Sequence, residues 1–312
     1  MISIVIPCYN EEKALPVLYK RLSASADTWG ETYEVILVDD CSQDSSWAII
    51  DDINRSDIRW KAIRFSRNFG HQIAITAGIN HSRGDCVIIM DADLQDPPEI
   101  LHKFIEKWKA GYEVIYGIRA TRKENIFKKT CYSFFYRLLG KVSNTDIPND
   151  SGDFCLMDKK VATILNEMPE QNRFVRGLRA WTGFSQTGIE YDREARAAGE
   201  VQYTFIKLLK LATDGIFSFS ITPIRIATFF GLGISLVAAI AALYILIWRL
   251  VSDFELPGYA TTILSILFLG GVQLITIGII GEYIGRIYDE VKRRPLWIKE
   301  KSVGFEENED HK

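Results

Sequence analysis

Residues 87–99 read VIIMDADLQDPPE: four apolar residues run into three carboxylates, Asp91, Asp93 and Asp96, and the stretch ends past Pro97 and Pro98. Asp91 and Asp93 flank the single residue Ala92, so in extended chain their carboxylates point the same way and repel unless something positive lies between them. A hard divalent cation with oxygen ligands meets that need. Mg2+ in particular is held through few protein carboxylates and completes its shell with phosphate oxygens. The plainer reading is a solvated loop. It accounts for Asp96, which precedes two prolines where a turn or helix start is expected, but poorly for the other two.

Such a pair needs rigid elements behind it. Short apolar runs at 2–7, 33–39, 60–65, 86–91 and 113–118 alternate with amphipathic stretches that begin near Glu11, Asp44, Gly70 and Pro98. This repeated βα order predicts an α/β domain with a mostly parallel, helix-covered sheet, whose ligands bind outside the carboxyl ends of the strands. Those ends carry PCYNEE, DDCSQD, SRNFGH, DADLQD and IRATRK. So much negative charge suits a metal with a nucleoside, and is wrong for bare phosphate. No G-x-G-x-x-G follows the first strand and no Walker-type Gly-Lys-Ser/Thr occurs, which excludes both of those nucleotide fingerprints.

The 312 residues allow one large domain or two, and a net charge of −3 leaves no electrostatic footprint for nucleic acid. Five cysteines without Cys-x-x-Cys spacing read as reduced apolar fillers, which suits the cytoplasm. MISIVIPCYNEE reads as a first strand and not as a signal peptide. Residues 226–248 and 260–281 carry no charge, and each stretch is long enough to cross a hydrocarbon core of roughly 30 Å. Two buried helices of a soluble core are the alternative. The link between them holds one base, Arg249, whereas Lys207, Lys210 and Arg225 precede the pair and Arg286, Lys292, Arg293, Arg294, Lys299 and Lys301 follow it. By the positive-inside rule both ends are cytoplasmic. Before the pair, residues 203–220 show helical amphipathicity suited either to the membrane surface or to packing on the soluble domain. Gly281 with Gly285, and Gly231 with Ser235, offer small-residue faces for close helix contacts.

IPCYNEE, VDDCSQD, SRNFGHQIAITAG, DADLQDPPE and SGDFCLMDKKV, in this order and followed by a two-helix hairpin, resemble the family 2 glycosyltransferases that load a sugar onto a polyisoprenyl phosphate. The bactoprenol (undecaprenyl-phosphate) glucosyltransferases and dolichol-phosphate mannose synthases are of this type. The resemblance covers all but the tail after about Pro295. It implies a GT-A-like cytoplasmic domain over 1–200, juxtamembrane amphipathic helices over 201–225, two transmembrane helices within 226–285 and a cytoplasmic tail over 286–312. It further implies an inverting, metal-dependent hexosyltransferase of the bacterial inner membrane, acting from a nucleotide sugar, UDP-glucose foremost, on undecaprenyl phosphate. A homo-oligomer and a flippase for the lipid-linked sugar are the implied protein partners. A mannose or aminosugar synthase stays open as the alternative. A processive polysaccharide synthase would carry Gln-x-x-Arg-Trp, which QNRFVRGLRAW does not fit, and a catalytically silent scaffold would not need intact Asp91, Asp93 and Asp153.

Carried onto matching residues, the resemblance gives Pro7, Tyr9, Asn10, Glu11, Asp39, Asp40, Asp91 and Ala92 to the nucleotide sugar. It gives Asp91, Asp93 and Gln95 to Mg2+ or Mn2+, and Arg119, Lys129 and Ser133 to the acceptor phosphate. Where relatives often carry Gly-Glu-Ser-Lys this chain has GEVQ, residues 199–202, and Arg193 and Arg196 just upstream can supply the missing charge. Asp93 and Asp153 are the implied catalytic pair, with Asp153 at the position usually given to a base. A phosphate monoester, with its second pKa near 6, has little proton to surrender at neutral pH. Asp153 therefore has two further candidate tasks: orienting a sugar hydroxyl, or orienting a basic residue that grips the acceptor.

Overall fold

The computed structural model describes residues 1–119, 151–194, 222–251 and 258–305. Lys129, Ser133, Arg196, the GEVQ stretch and residues 201–221 of the expected juxtamembrane segment lie outside the described residues. The chain begins with alternating strands and helices: β1 (Ile2–Cys8), α1 (Leu15–Ala26), β2 (Tyr33–Asp39), α2 (Ser46–Ser56), β3 (Trp60–Phe65), α3 (His71–His81), β4 (Cys86–Ile89), a 3-10 turn (Pro98–Ile100), α4 (Leu101–Lys109) and β5 (Val114–Arg119). After the undescribed stretch come β6 (Ser151–Asp158), α5 (Lys159–Glu167), α6 (Val175–Trp181) and β7 (Gln186–Tyr191). Then follow α7 (Thr222–Val251), α8 (Tyr259–Lys292) and β8 (Lys299–Val303). β1 and β2 are buried along their whole length, as apolar strands covered on both faces must be.

The eight strands form one sheet in the order β7-β5-β6-β4-β1-β2-β3-β8, with β6 and β8 antiparallel to their neighbours and the rest parallel. This is the mostly parallel α/β sheet that the βα order predicts. The reversal of β6 matters most for function. Its register pairs Cys155 with Ile89, so continuing two residues outward sets Asp153 across from Asp91. A residue 62 positions downstream thus reaches the acidic strand tip. Helix α3 lies against β1 because residue 78 is glycine: a Cβ there would come within 2.2 Å of Val5 Cγ1. That close approach fixes the helix whose first residue is His71.

β8 completes the sheet beside β3, with Ala62 opposite Val303 and Ile63 opposite Ser302. Its sequence, KEKSV, has a single apolar residue and gives no strand signal. The edge is held by Trp297, whose ring stacks 6.4 Å from that of Phe65, and by the Ser66 N–H donating to Ile298 O at 3.0 Å.

Helices α7 and α8 run for 30 and 34 residues, and Ile224–Ile245 and Ser265–Lys292 are long and apolar enough to cross a membrane. Their apolar side chains are exposed, Phe229 at 72% and Leu274 at 72% among them, unlike those of a soluble core helix. The last turn of α8 reaches the sheet domain, where Glu290 accepts a hydrogen bond from the Gln171 N–H at 2.8 Å.

Candidate active site

The carboxyl edge of the sheet is built on unusual backbone. Asn10, Cys41 and Leu94, at the tips of β1, β2 and β4, all adopt left-handed φ values of 57°, 62° and 58°. Non-glycine residues hold such conformations only where surrounding contacts over-determine them. Here the β1 and β2 tips pin each other: the Asn10 N–H donates to Ser42 Oγ at 2.9 Å, the Gln43 N–H returns to Asn10 Oδ1 at 2.8 Å, and the Glu11 N–H donates to Ser46 Oγ at 2.8 Å. Pro7 is buried within β1, and Tyr9 beyond it is 45% exposed.

Asp39 and Asp40 lie inside this frame. Asp39 is fully buried, accepts from the Ser42 N–H at 3.1 Å and sits 3.6 Å from Arg64 Nε; burial pushes its pKa up, with Ser42 and Arg64 opposing. Asp40 accepts the Phe69 N–H at 2.6 Å and the Gly70 N–H at 2.9 Å, so both its oxygens clamp the turn ahead of α3. Gly70 has φ +101°, which only glycine takes readily. Through this turn Asp40 sets the position of His71.

His71 occupies the centre. Its Nε2 lies 3.6 Å from Asp91 Oδ1 and 3.6 Å from Asp153 Oδ2. Gln72 donates to Asp153 Oδ2 at 3.1 Å and accepts the Val175 N–H at 2.8 Å, and Arg176 lies 3.5 Å from Asp153 Oδ1. Burial pushes Asp91 up to about 6; His71 opposes this and the neighbouring carboxylates Asp96, Asp153 and Asp93 add to it. Burial would raise Asp153 too, but Arg176 and His71, with Arg179 behind them, hold it well below the usual carboxylate range. The His71 side chain keeps 44% of its surface open, yet its ring nitrogen sits deep among carboxylates. Burial works against its charge, but the carboxylates Asp153 and Asp91 outweigh it and raise His71 to about 9.

Asp96 is neither a solvated loop residue nor a helix cap: Pro97 occupies the cap position and Asp96 is 1% exposed. It accepts from the Tyr191 hydroxyl and lies 3.9 Å from both Arg119 and Arg193. Burial and the Asp96 carboxylate push the Tyr191 phenol far above its ordinary value. Asp96 thus gathers the two arginines at the tips of β5 and β7. Glu194 ties the chain beyond β7 to this edge, its N–H donating to Gln95 O at 3.0 Å and its carboxylate meeting Arg21, which also holds Glu99.

Among the described residues no three His, Cys, Asp or Glu side chains converge as a self-sufficient metal site. The donors nevertheless fit a cation that shares its shell with a diphosphate. Asp93 is 9% exposed and takes the Gln95 N–H on one oxygen at 3.1 Å, Ala92 between the pair is buried, and Asp91 is raised first by burial and then by the neighbouring carboxylates Asp96, Asp153 and Asp93, whose repulsion a divalent ion would offset. An open depression of about 530 Å3, lined by Trp47, Asp51 and residues 299–303, lies at the β3–β8 edge away from these groups. Converging charge, not volume, locates the chemistry.

His71, Gln72, Arg176 and Arg179 escape sequence reasoning, although they stand inside the quoted SRNFGHQ and RFVRGLRAW stretches. Only the reversed β6 and the docking of α6 reveal that these stretches meet.

Residues 3–165 match the family model described as glycosyl transferase family 2, and residues 222–287 match the GtrB C-terminal hairpin. The chain is 48% identical to the uncharacterized glycosyltransferase YkcC of Bacillus subtilis over 97% of its own length and 94% of that protein's. It is 43% identical to the uncharacterized glycosyltransferase sll0501 of Synechocystis over 98% and 96%. To the bactoprenol glucosyl transferase of Shigella phage SfII it is 40% identical over 96% and 98%. The hairpin match, with two exposed apolar helices, makes the chain a membrane protein. It belongs to glycosyl transferase family 2, as a glycosyltransferase whose GT-A-like domain is joined to a membrane hairpin.

Proposed function

We propose that this protein transfers glucose from UDP-glucose to a polyprenyl phosphate, undecaprenyl phosphate in a bacterial inner membrane, with inversion at the anomeric carbon. One observation carries this reading: an acidic pair, Asp91 and Asp93, lies between two arginine clusters on a domain joined to two membrane-length helices. Such an edge suits the meeting of a nucleoside diphosphate with a lipid phosphate. The relatives named bactoprenol glucosyl transferase supply the choice of sugar and lipid.

Tyr9, Asn10 and Glu11 line the nucleoside side of the cleft beyond Pro7, while Asp39 and Asp40 act through the loops they hold. Asp91 and Asp93, with Gln95 beside them, would hold Mg2+ or Mn2+, which when bound neutralises charge on the diphosphate. An oxygen of the acceptor phosphate attacks the anomeric carbon from the face opposite the diphosphate. The new carbon–oxygen bond forms as the old one breaks, and UDP leaves with the electron pair. Arg119 and Arg193, with Lys129 and Ser133 by resemblance and Arg196 in place of the relatives' lysine, draw the acceptor into line. Asp153 abstracts no proton in this scheme, because the acceptor is already largely dianionic at neutral pH. Its depressed pKa makes it a poor base, and its contacts with His71, Gln72 and Arg176 suit an orienting role.

In this reading both ends of the hairpin, and the catalytic domain with them, lie at the cytoplasmic face, which the scarcity of bases in the link between the helices supports. Copies associate through the small-residue faces of the hairpin, and the lipid-linked glucose passes to a flippase for envelope glycan modification. The direct experiment offers purified protein undecaprenyl phosphate with labelled UDP-glucose, GDP-mannose and UDP-aminosugars and counts label in the lipid phase. Transfer from UDP-glucose is expected. Label from GDP-mannose alone would move the assignment to a mannosyl synthase, and label from none would refute enzymatic transfer.

A further inference from the structure

Three buried polar atoms gather around the start of β6 without a hydrogen-bond partner: Asp153 Oδ1, Arg176 Nε and Arg179 Nε. Buried donors and acceptors are almost always paired, and a cluster of orphans points to a ligand that completes them. Two guanidinium groups on α6 act on one carboxylate, Asp153, which balances only one of them; the next carboxylate, Asp91, lies across His71. The arginines stand three apart on α6, which Gln72 fastens by joining Asp153 to the Val175 N–H. Arg179, 1% exposed, forms the inner wall against Tyr116, with its guanidinium carbon 6.0 Å from the ring centroid. Arg176 keeps 19% of its side chain open, so its planar fork is both anchored and accessible.

We infer that Arg176, oriented by Asp153, is a phosphate-binding residue of the reaction centre. A sugar hydroxyl would satisfy a donor but leave the excess positive charge unmatched; a phosphate oxygen does both, and arginine binds it through paired N–H groups. Asp153 is the positioning residue in this arrangement. The inference rests on the proposed use of a nucleoside diphosphate and a polyprenyl phosphate, and either could supply the oxygen.

The test measures binding, not turnover, in the full-length protein in detergent. The dissociation constants of UDP and of farnesyl phosphate, a short polyprenyl phosphate, are determined for the wild type, Arg176→Ala and Arg176→Lys. Arg176→Ala should weaken one of the two by about tenfold or more at an unchanged melting temperature, and Arg176→Lys should restore only part of the loss because it keeps charge but not the fork. A selective loss for UDP assigns the residue to the donor, and one for farnesyl phosphate to the acceptor. Both constants staying within about twofold of wild type would overturn the inference, as would a wild type that binds neither probe. If Arg176→Ala does not fold, Arg176→Lys decides by the same criterion. Failure of the wild type to transfer glucose would refute the proposed reaction while leaving this binding readout intact.

Discussion

The two edges of the central sheet treat buried carboxylates in opposite ways. At the amino edge, Glu34 is 3% exposed and fully engaged: Lys61 Nζ lies 2.8 Å away, Ser3 Oγ donates at 2.6 Å and the Arg83 N–H at 2.8 Å. Burial alone would raise its pKa, but Lys61, Ser3 and the Arg83 N–H hold it below the ordinary value. At the carboxyl edge Asp91 is pushed up to about 6, and Asp153 and Asp96 each keep a buried oxygen without a hydrogen bond. A carboxylate whose bonds are complete stabilises the fold. Asp91, whose charge is disfavoured, opposes folding and stands ready for a cation or a ligand, whereas Asp153 is held ionised by Arg176 and His71 with one oxygen left over for a ligand.

The sharpest way to break this comparison is Asp93→Asn. It should leave the melting temperature near wild type and lower glucosyl transfer by roughly 100-fold or more, the scale of losing several kcal/mol of charge stabilisation. Full transfer by this variant in excess chelator would end the metal reading. Glu34→Ala should do the reverse, costing about 3 kcal/mol in denaturant unfolding because it strands Lys61 in a buried site, with KM values unchanged. The pH dependence follows in sign. Glu34 has a folded pKa below its unfolded one, so its contribution is present above the unfolded pKa, about 4.3, and is lost as pH falls through the folded value. Glu34→Gln should therefore flatten the acid limb of the stability profile, and an unchanged limb would contradict the pairing.

How much of this was legible in sequence depended on the range of the interaction. The βα alternation, the acidic strand tips and the two uncharged spans are local patterns, and the corresponding elements stand where periodicity puts them. In the sequence Asp96 looks like a turn residue because two prolines follow it; its partners, Tyr191, Arg119 and Arg193, are brought by β5 and β7. β8 was invisible because four of its five residues are polar and its support comes from Trp297 and Phe65. His71 and Arg176 carry no motif of their own. Which strand reverses, and hence which distant residue faces Asp91, is a property of pairing that one-dimensional spacing does not encode.

Asp96 permits a finer test within the carboxyl edge, since it has one strong partner where Asp91 has none of that kind. Tyr191→Phe removes the hydroxyl that donates to it and should cost about 1–2 kcal/mol of stability, with a raised KM for the polyprenyl phosphate as Arg119 and Arg193 lose their anchor. A raised KM for UDP-glucose instead would assign those arginines to the donor.

The smallest expected effect on stability is the most direct test of the central claim, that Asp91 is kept charged at a cost to the fold. Asp91→Asn removes a charge that burial and its neighbours Asp96, Asp153 and Asp93 disfavour. Thermal melting of this variant in divalent-free buffer, with transfer assayed on the same preparation, should give a melting temperature a few degrees above wild type and no glucosyl transfer. A melting temperature below wild type, or transfer retained, would contradict the account.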